Sequence, residues 1–167
     1  MLFSVENHEK FAAFTEGLPL ACNTLVSRAP VTGGAKPDFG VEKSTPKRGV
    51  YLFTEKGTHM YVGRSNRLFE RYKNHWGTQS SGGKAAFAFK LARQTTGFSK
   101  ATYKKGPGSR QSLDIDPTFK QAFKDAKERI RAMEYRWVEA TDPTFQCLLE
   151  IYVSIVLATK YNDFDTH

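Results

Sequence analysis

The chain has 167 residues, a net charge of +8 and a sequence pI near 9.5, which suits one domain with its own core and a polyanionic partner, nucleic acid or an anionic membrane surface. Its two cysteines, Cys22 and Cys147, stand far apart and form no CxxC or Cys/His cluster, so neither a disulfide framework nor a zinc site is suggested and a reducing compartment fits. The N-terminus MLFSVENHEK lacks the order of a signal peptide, and the longest apolar run, around Leu148 to Ala158, is interrupted and too short for a bilayer, so a cytoplasmic protein with no membrane partner is expected.

In chain order, the segment from about Ser4 to Thr15 reads as a short amphipathic helix with Phe11, Ala12 and Phe14 inward, stopped by Gly17 and Pro19. From about Arg28 to Arg48 the glycines and prolines predict a loop. GVYLF (Gly49 to Phe53) and HMYVG (His59 to Gly63) flank TEKGT, whose Gly57 can take a positive φ, and predict a β-hairpin. Ser65 or Asn66 then caps a helix with Leu68 and Tyr72, and at its limit Trp76, facing inward. Arg67, Arg71 and His75 recur at intervals of four and share another face of it.

A further helix is expected over about Lys84 to Arg93, followed by a basic loop, KKGPGSR. Asp116-Pro117 and Asp142-Pro143 each predict a helix start, with Asp as N-cap and Pro at the first helical position. Between those helices Met133 to Trp137 alternates apolar with charged, as a half-exposed strand does. The order predicts an α+β fold, a small antiparallel three-stranded sheet flanked by helices. Residues 1–47 form an N-terminal helix and loop extension; 48–167 form the main domain, enlarged by a basic helix and loop region at about 77–130.

Charge is unevenly spread. Between Arg71 and Leu113 there is no Asp or Glu, whereas Arg71, Lys73, Lys84, Lys90, Arg93, Lys100, Lys104, Lys105 and Arg110 are all basic. A solvated face and a nucleic-acid surface both fit that run, and the interleaved Phe87, Phe89 and Tyr103 suit a core equally well. The last helix, QCLLEIYVSIVLATK, is apolar nearly all round and is expected to be largely buried. Glu150 within it is costly unless paired or bound to a cation; an edge position, an arginine partner and a functional role all satisfy that requirement.

Gly49-Val50-Tyr51 and Tyr61-Val62-Gly63 on the two hairpin strands, followed by Arg64, by Arg71 eight residues after Gly63, by His75, and later by Glu150 with Asn162 twelve residues beyond it, form an ordered set. In that set the chain resembles the GIY-YIG nuclease family, over roughly Arg48 to Asn162. The loop between the triplets is slightly short for the family.

The resemblance implies metal-dependent hydrolysis of DNA phosphodiesters, of restriction or structure-specific type. It implies Mg²⁺ or Mn²⁺ held by Glu150 as sole protein ligand, the scissile phosphate held by Arg71, and Tyr51 as general base ahead of Tyr61. A phenol near its ordinary pKa of about 10 is a poor base at neutrality, so Arg64, Arg71 and the cation would have to favour its anion. Tyr61 and His75 would orient water or phosphate, and Asn162 would support the Glu150 end of the site.

Arg67, Lys73, Lys84, Lys100, Lys104, Lys105 and Arg110 are the candidates for contacts to the nucleic-acid backbone. Glu134, Glu139 and the groups of the NDFDTH tail, Asp163, Asp165 and His167, are read as surface features. Each site residue also has a structural explanation: Tyr51 and Tyr61 as sheet-core aromatics, Arg71 as a surface cation, Asn162 as a helix stop. The rival functions are a nucleic-acid-binding module without cleavage and a nuclease acting on RNA. The sequence carries no sign of oligomeric state.

Overall fold

The structure, a computed structural model, describes residues 5–38, 47–98, 106, 108–162 and 164. Helix α1 (Val5–Ser27) is followed by strands β1 (Gly49–Glu55) and β2 (Thr58–Ser65), helices α2 (Leu68–Trp76), α3 (Ala86–Thr95), α4 (Arg110–Ile115) and α5 (Pro117–Ala132), strand β3 (Glu134–Glu139) and helix α6 (Pro143–Val156). The sheet is antiparallel with order β2-β1-β3. This is the expected α+β architecture. Contacts divide the chain into two units, one within Met1–Val31, Asp38–Leu68 and Glu134–Asn162, the other within Thr32–Pro37, Phe69–Met133 and Asp163–His167.

The first unit holds the sheet with α1 and α6. The hairpin closes at Lys56 and Gly57, both at positive φ (48° and 77°), the backbone that a tight two-residue turn requires. Side chains alternate across the strands. Val50, Leu52, Val62 and Val138 join Leu18, Cys22 and Leu25 of α1 and Leu149 and Val153 of α6 in one core. On the opposite face Tyr51 packs against Phe53, Tyr61 and Tyr135, with ring centroids 5.9, 6.4 and 5.8 Å away, and Trp137 stacks on Tyr135 at 6.0 Å.

Two expectations fail in this unit. Helix α1 continues to Ser27, through Gly17 and Pro19, instead of stopping near Thr15. An interior proline costs about 3 kcal/mol, but Leu18, Cys22 and Leu25, buried at helical spacing, each return roughly 1.5–3 kcal/mol for a full-sized apolar side chain and less for cysteine. Gly17 also lies against Phe145, whose ring would be 3.4 Å from a Cβ there. Helix α6 is not largely buried: Leu149 and Val153 face the core, while Ile155 is 71% and Val156 54% exposed. The helix packs onto one face of a narrow sheet, which covers one stripe and leaves the other open.

In the second unit Phe89, Ala92, Leu113, Phe119 and Ala122 form the core with Phe123 against it. Asp116 accepts from the Phe119 amide at 2.7 Å and caps α5, and in the first unit Asp142 accepts from Thr144 and Phe145 at 2.8 and 2.9 Å to cap α6. Helix α4 was not expected. The end of the anticipated KKGPGSR loop supplies its cap, Ser109, which accepts from the Ser112 amide at 3.2 Å. Among the described residues no helix is long and apolar enough to cross a membrane.

Candidate active site

Tyr51 occupies the central strand directly opposite Gly63 on β2. Its phenol lies across that glycine: a Cβ at position 63 would collide with the hydroxyl oxygen and lie 2.5 Å from Cζ. The glycine ending the second triplet is therefore the seat of the tyrosine ending the first, and only a residue without a side chain permits it. Tyr51 is 1% exposed; Tyr61, on the same face, is partly exposed.

β2 is an edge strand, and the chain after α6 runs along it. The amides of Lys160 and Tyr161 donate to the carbonyls of His59 and Met60 at 3.2 and 2.9 Å. Asn162 then imitates a strand partner. Its Oδ1 accepts from the Val62 amide and its Nδ2 donates to the Val62 carbonyl, both at 2.8 Å, while Thr159 Oγ1 donates to Oδ1 at 2.9 Å. The carboxamide thus satisfies the outward backbone groups between Tyr61 and Gly63, which an edge would otherwise leave to water.

On the face of β2 that carries Val62, Arg64 Nε donates to Glu150 Oε2 of α6 at 2.9 Å, with side chains 47% and 19% exposed. The first unit therefore joins Arg64 to Glu150, and Tyr51 to Tyr61 and Gly63, on opposite faces of β2.

In the second unit, on α2, Arg71 is intermediate in exposure, Lys73 exposed and His75 wholly buried. Arg71 Nη1 donates to the Lys84 carbonyl at 2.9 Å. His75 meets the Phe87 ring edge-on at 6.4 Å, and burial, with the Arg71 guanidinium behind it, holds its pKa well below the ordinary value. Its imidazole is neutral near pH 7. Lys73, Lys84 and Arg110 are exposed, and so is Arg67 in the first unit. Lys100, Lys104 and Lys105 lie outside the described residues, as do Asp163, Asp165 and His167. Phe87 and Phe89 are core. In the first unit Glu134 pairs with Arg136 at 2.6 Å and Glu139 with Lys47 at 3.4 Å.

Lys127 and Arg93 were given no individual role from the sequence. Lys127 is buried, and its ammonium donates to the carbonyls of Gly77, Thr78 and Ser80 at 3.2, 3.0 and 3.1 Å, fastening that loop to α5. A lysine among the inward positions Phe119, Ala126 and Ile130 was the available signal. Arg93 is half-buried at the end of α3, and its Nε donates to the Phe98 carbonyl at 2.7 Å.

Among the described residues no three His, Cys, Asp or Glu side chains gather as a metal cage. A cation at this site would rest on Glu150, whose partly exposed carboxylate fits a hard ion that keeps most of its waters. Family models, curated proteins and solved structures were all compared with the chain, and none matches it.

Proposed function

We propose that the protein is a metal-dependent endonuclease that hydrolyses DNA phosphodiester bonds in the cytoplasm, with a GIY-YIG-like domain. The observation carrying this reading is the interlock of the two triplets: Tyr51 seated on Gly63, with the next residue, Arg64, paired to Glu150. In a chain whose net charge is +8, phosphate is the substrate group that such cations and a single carboxylate suit.

Glu150 would hold Mg²⁺ or Mn²⁺. The bound ion supplies charge neutralisation at the phosphoryl oxygens. Arg64 neutralises Glu150 in the free protein and would be the group next to it that binds a substrate phosphate oxygen. Arg71 grips the scissile phosphate, where a planar fork suits two oxygens better than an ammonium does. Tyr51 accepts the proton of the attacking water, Tyr61 orients water or phosphate, the buried and neutral His75 packs α2 against Phe87, and Asn162 holds the Tyr61–Gly63 backbone. Arg67, Lys73, Lys84, Lys100, Lys104, Lys105 and Arg110 contact phosphates away from the cut.

One observation favours a second reading, a nucleic-acid-binding module without cleavage: Tyr51 is 1% exposed, and a base must meet its water. Incubating the purified protein with plasmid, branched DNA, single strands and RNA in Mg²⁺, Mn²⁺ or EDTA separates the readings. Metal-dependent cutting of DNA is expected. Binding without cutting would support the module, and cutting confined to RNA would reassign the substrate.

A further inference from the structure

Helices α3 and α5 pack together in the second unit and leave between them a slot of about 590 Å³, within the roughly 300–1,000 Å³ of small-ligand sites. Its floor is Leu91 of α3 with Ala122 and Ala126 of α5, all buried. The two alanines stand four residues apart on one face of α5, and their short side chains leave the groove beside α3 unfilled. At one end α3 turns through Gly97, at φ 80°. Phe98 follows as part of the slot wall, 37% exposed and with its carbonyl held by Arg93 Nε at 2.7 Å.

The rim is polar and, in a chain of net charge +8, acidic on balance: among the described lining residues Asp116 and Asp125 stand against the guanidinium of Arg129. A phosphate is therefore the wrong ligand for this slot. Asp116 is engaged as the α5 cap. Asp125 is exposed, and Gln121, one turn before it, donates to its Oδ1 at 2.7 Å. That bond orients a carboxylate which keeps acceptor capacity beyond it. On the α3 side Thr95 donates its hydroxyl hydrogen to the Leu91 carbonyl at 3.1 Å, so its oxygen serves a ligand as an acceptor. Arg129 follows Asp125 by one turn of α5, about 5–6 Å between Cβ atoms at that spacing, close enough for one flat ligand to span both.

These groups suit a planar ligand with two adjacent N–H donors next to two acceptors. Guanine has that order round its edge: N7 and O6 accept, and N1–H and N2–H donate, one to each oxygen of a carboxylate. Adenine would turn the N1 lone pair toward Asp125. Thymine and uracil would bring two carbonyls against it, and cytosine offers it the amino group alone. Base pairing engages N1–H and N2–H, so the slot selects a guanine that is unpaired.

We propose that the slot between α3 and α5 binds an unpaired guanine base, with Asp125 accepting from N1–H and N2–H, Arg129 donating to O6 and N7, and Phe98 against the ring. This goes beyond the nuclease reading and does not depend on it, because the lining itself specifies the ligand. The same chemistry recognises guanine in a nucleic-acid strand and in a free nucleotide.

The test is equilibrium dialysis of the full chain against labelled guanosine, inosine and adenosine, which lack phosphate and so draw nothing from the charge of the chain. Inosine keeps N1–H and lacks the 2-amino group. Asp125 and Phe98 are exposed, so Asp125→Asn and Phe98→Ala leave the core in place, as circular dichroism would verify. Guanosine is expected to bind roughly tenfold or more tighter than inosine or adenosine, the scale of one bidentate base contact. Asp125→Asn should erase that preference, and Phe98→Ala should weaken all three nucleosides several-fold through lost stacking. Oligothymidine strands with and without one guanine separate the sources. A preference for the guanine strand, lost in Asp125→Asn, places the base in nucleic acid, whereas a preference confined to the nucleoside assigns the slot to a free nucleotide. A chain that prefers guanine in neither form, or an Asp125→Asn variant that keeps the parent's preference, would overturn the proposal. Plasmid cleavage, scored separately, keeps the two claims apart: a guanine preference in a chain that cuts no DNA would uphold the slot and count against the nuclease, and cutting without that preference would do the reverse.

Discussion

Tyr51 and Gly63 face each other across β1 and β2 with the phenol lying over the glycine. Gly63→Ala is therefore expected to destabilise the sheet by about 1–3 kcal/mol through overpacking, seen as a lower urea midpoint. Tyr51→Phe removes the hydroxyl and leaves the ring, whose Cζ would still lie 2.5 Å from the new methyl, so it should not rescue Gly63→Ala. By itself Tyr51→Phe should keep the fold and lose most of the cleavage rate. A rate within a few-fold of the parent would move the base to the partly exposed Tyr61.

Asn162→Ala removes both hydrogen bonds that close the edge of β2 at Val62. Since the edge is only part-buried, water replaces part of what is lost, and a destabilisation of about 1–3 kcal/mol is expected. Hydrogen exchange checks the location: the Val62 amide should lose protection while the amides on the β1–β3 side keep theirs. Unchanged protection at Val62 would remove the clasp.

His75 gives the fold a dependence on pH. Its folded pKa is depressed by burial first and by Arg71 second, so the unfolded chain takes up a proton that the folded chain resists. The neutral imidazole is accommodated fully above the unfolded pKa of about 6.5, and stability is lost as pH falls from there toward the depressed folded value. The slope approaches about 1.4 kcal/mol per pH unit within that window. Urea denaturation of His75→Gln between pH 7.5 and 5 should show a shallower loss than the parent. Parallel curves would mean that His75 is not held neutral.

What the sequence disclosed was mostly local. The Lys56-Gly57 turn and the two Asp-Pro helix starts are legible because their chemistry lies within a few residues of the structure it makes. The course of α1 through Gly17 and Pro19 is not, because Leu18, Cys22 and Leu25 are held by α6 and the sheet, partners far away in the chain. The same limit hid the exposed stripe of α6, since apolar content does not reveal how many faces a helix will cover.

The candidate site divides in the same way. Its residue types stand in order along the chain, and pairing with an arginine was one of the readings open to Glu150, though not with Arg64 in particular. The reason for Gly63, the use of Asn162 as a strand partner and the Lys127 clamp each depend on where a distant backbone arrives. Periodicity marked His75 as sharing a face with Arg67 and Arg71, but it could not tell that this face becomes core by the end of α2.

The central claim is that Glu150 holds the cation of a DNA-cutting site. Single-turnover cleavage of saturating duplex DNA in Mg²⁺, with binding measured in parallel in EDTA, tests it through Glu150→Gln, which keeps side-chain volume within α6. With the fold verified by circular dichroism, the parent should cut in Mg²⁺ and not in EDTA. Glu150→Gln should lose roughly two orders of magnitude or more in rate, the scale of removing one group that stabilises transition-state charge, while its affinity for DNA stays within a few-fold. A folded Glu150→Gln that cuts in Mg²⁺ at the parent's rate would contradict the claim.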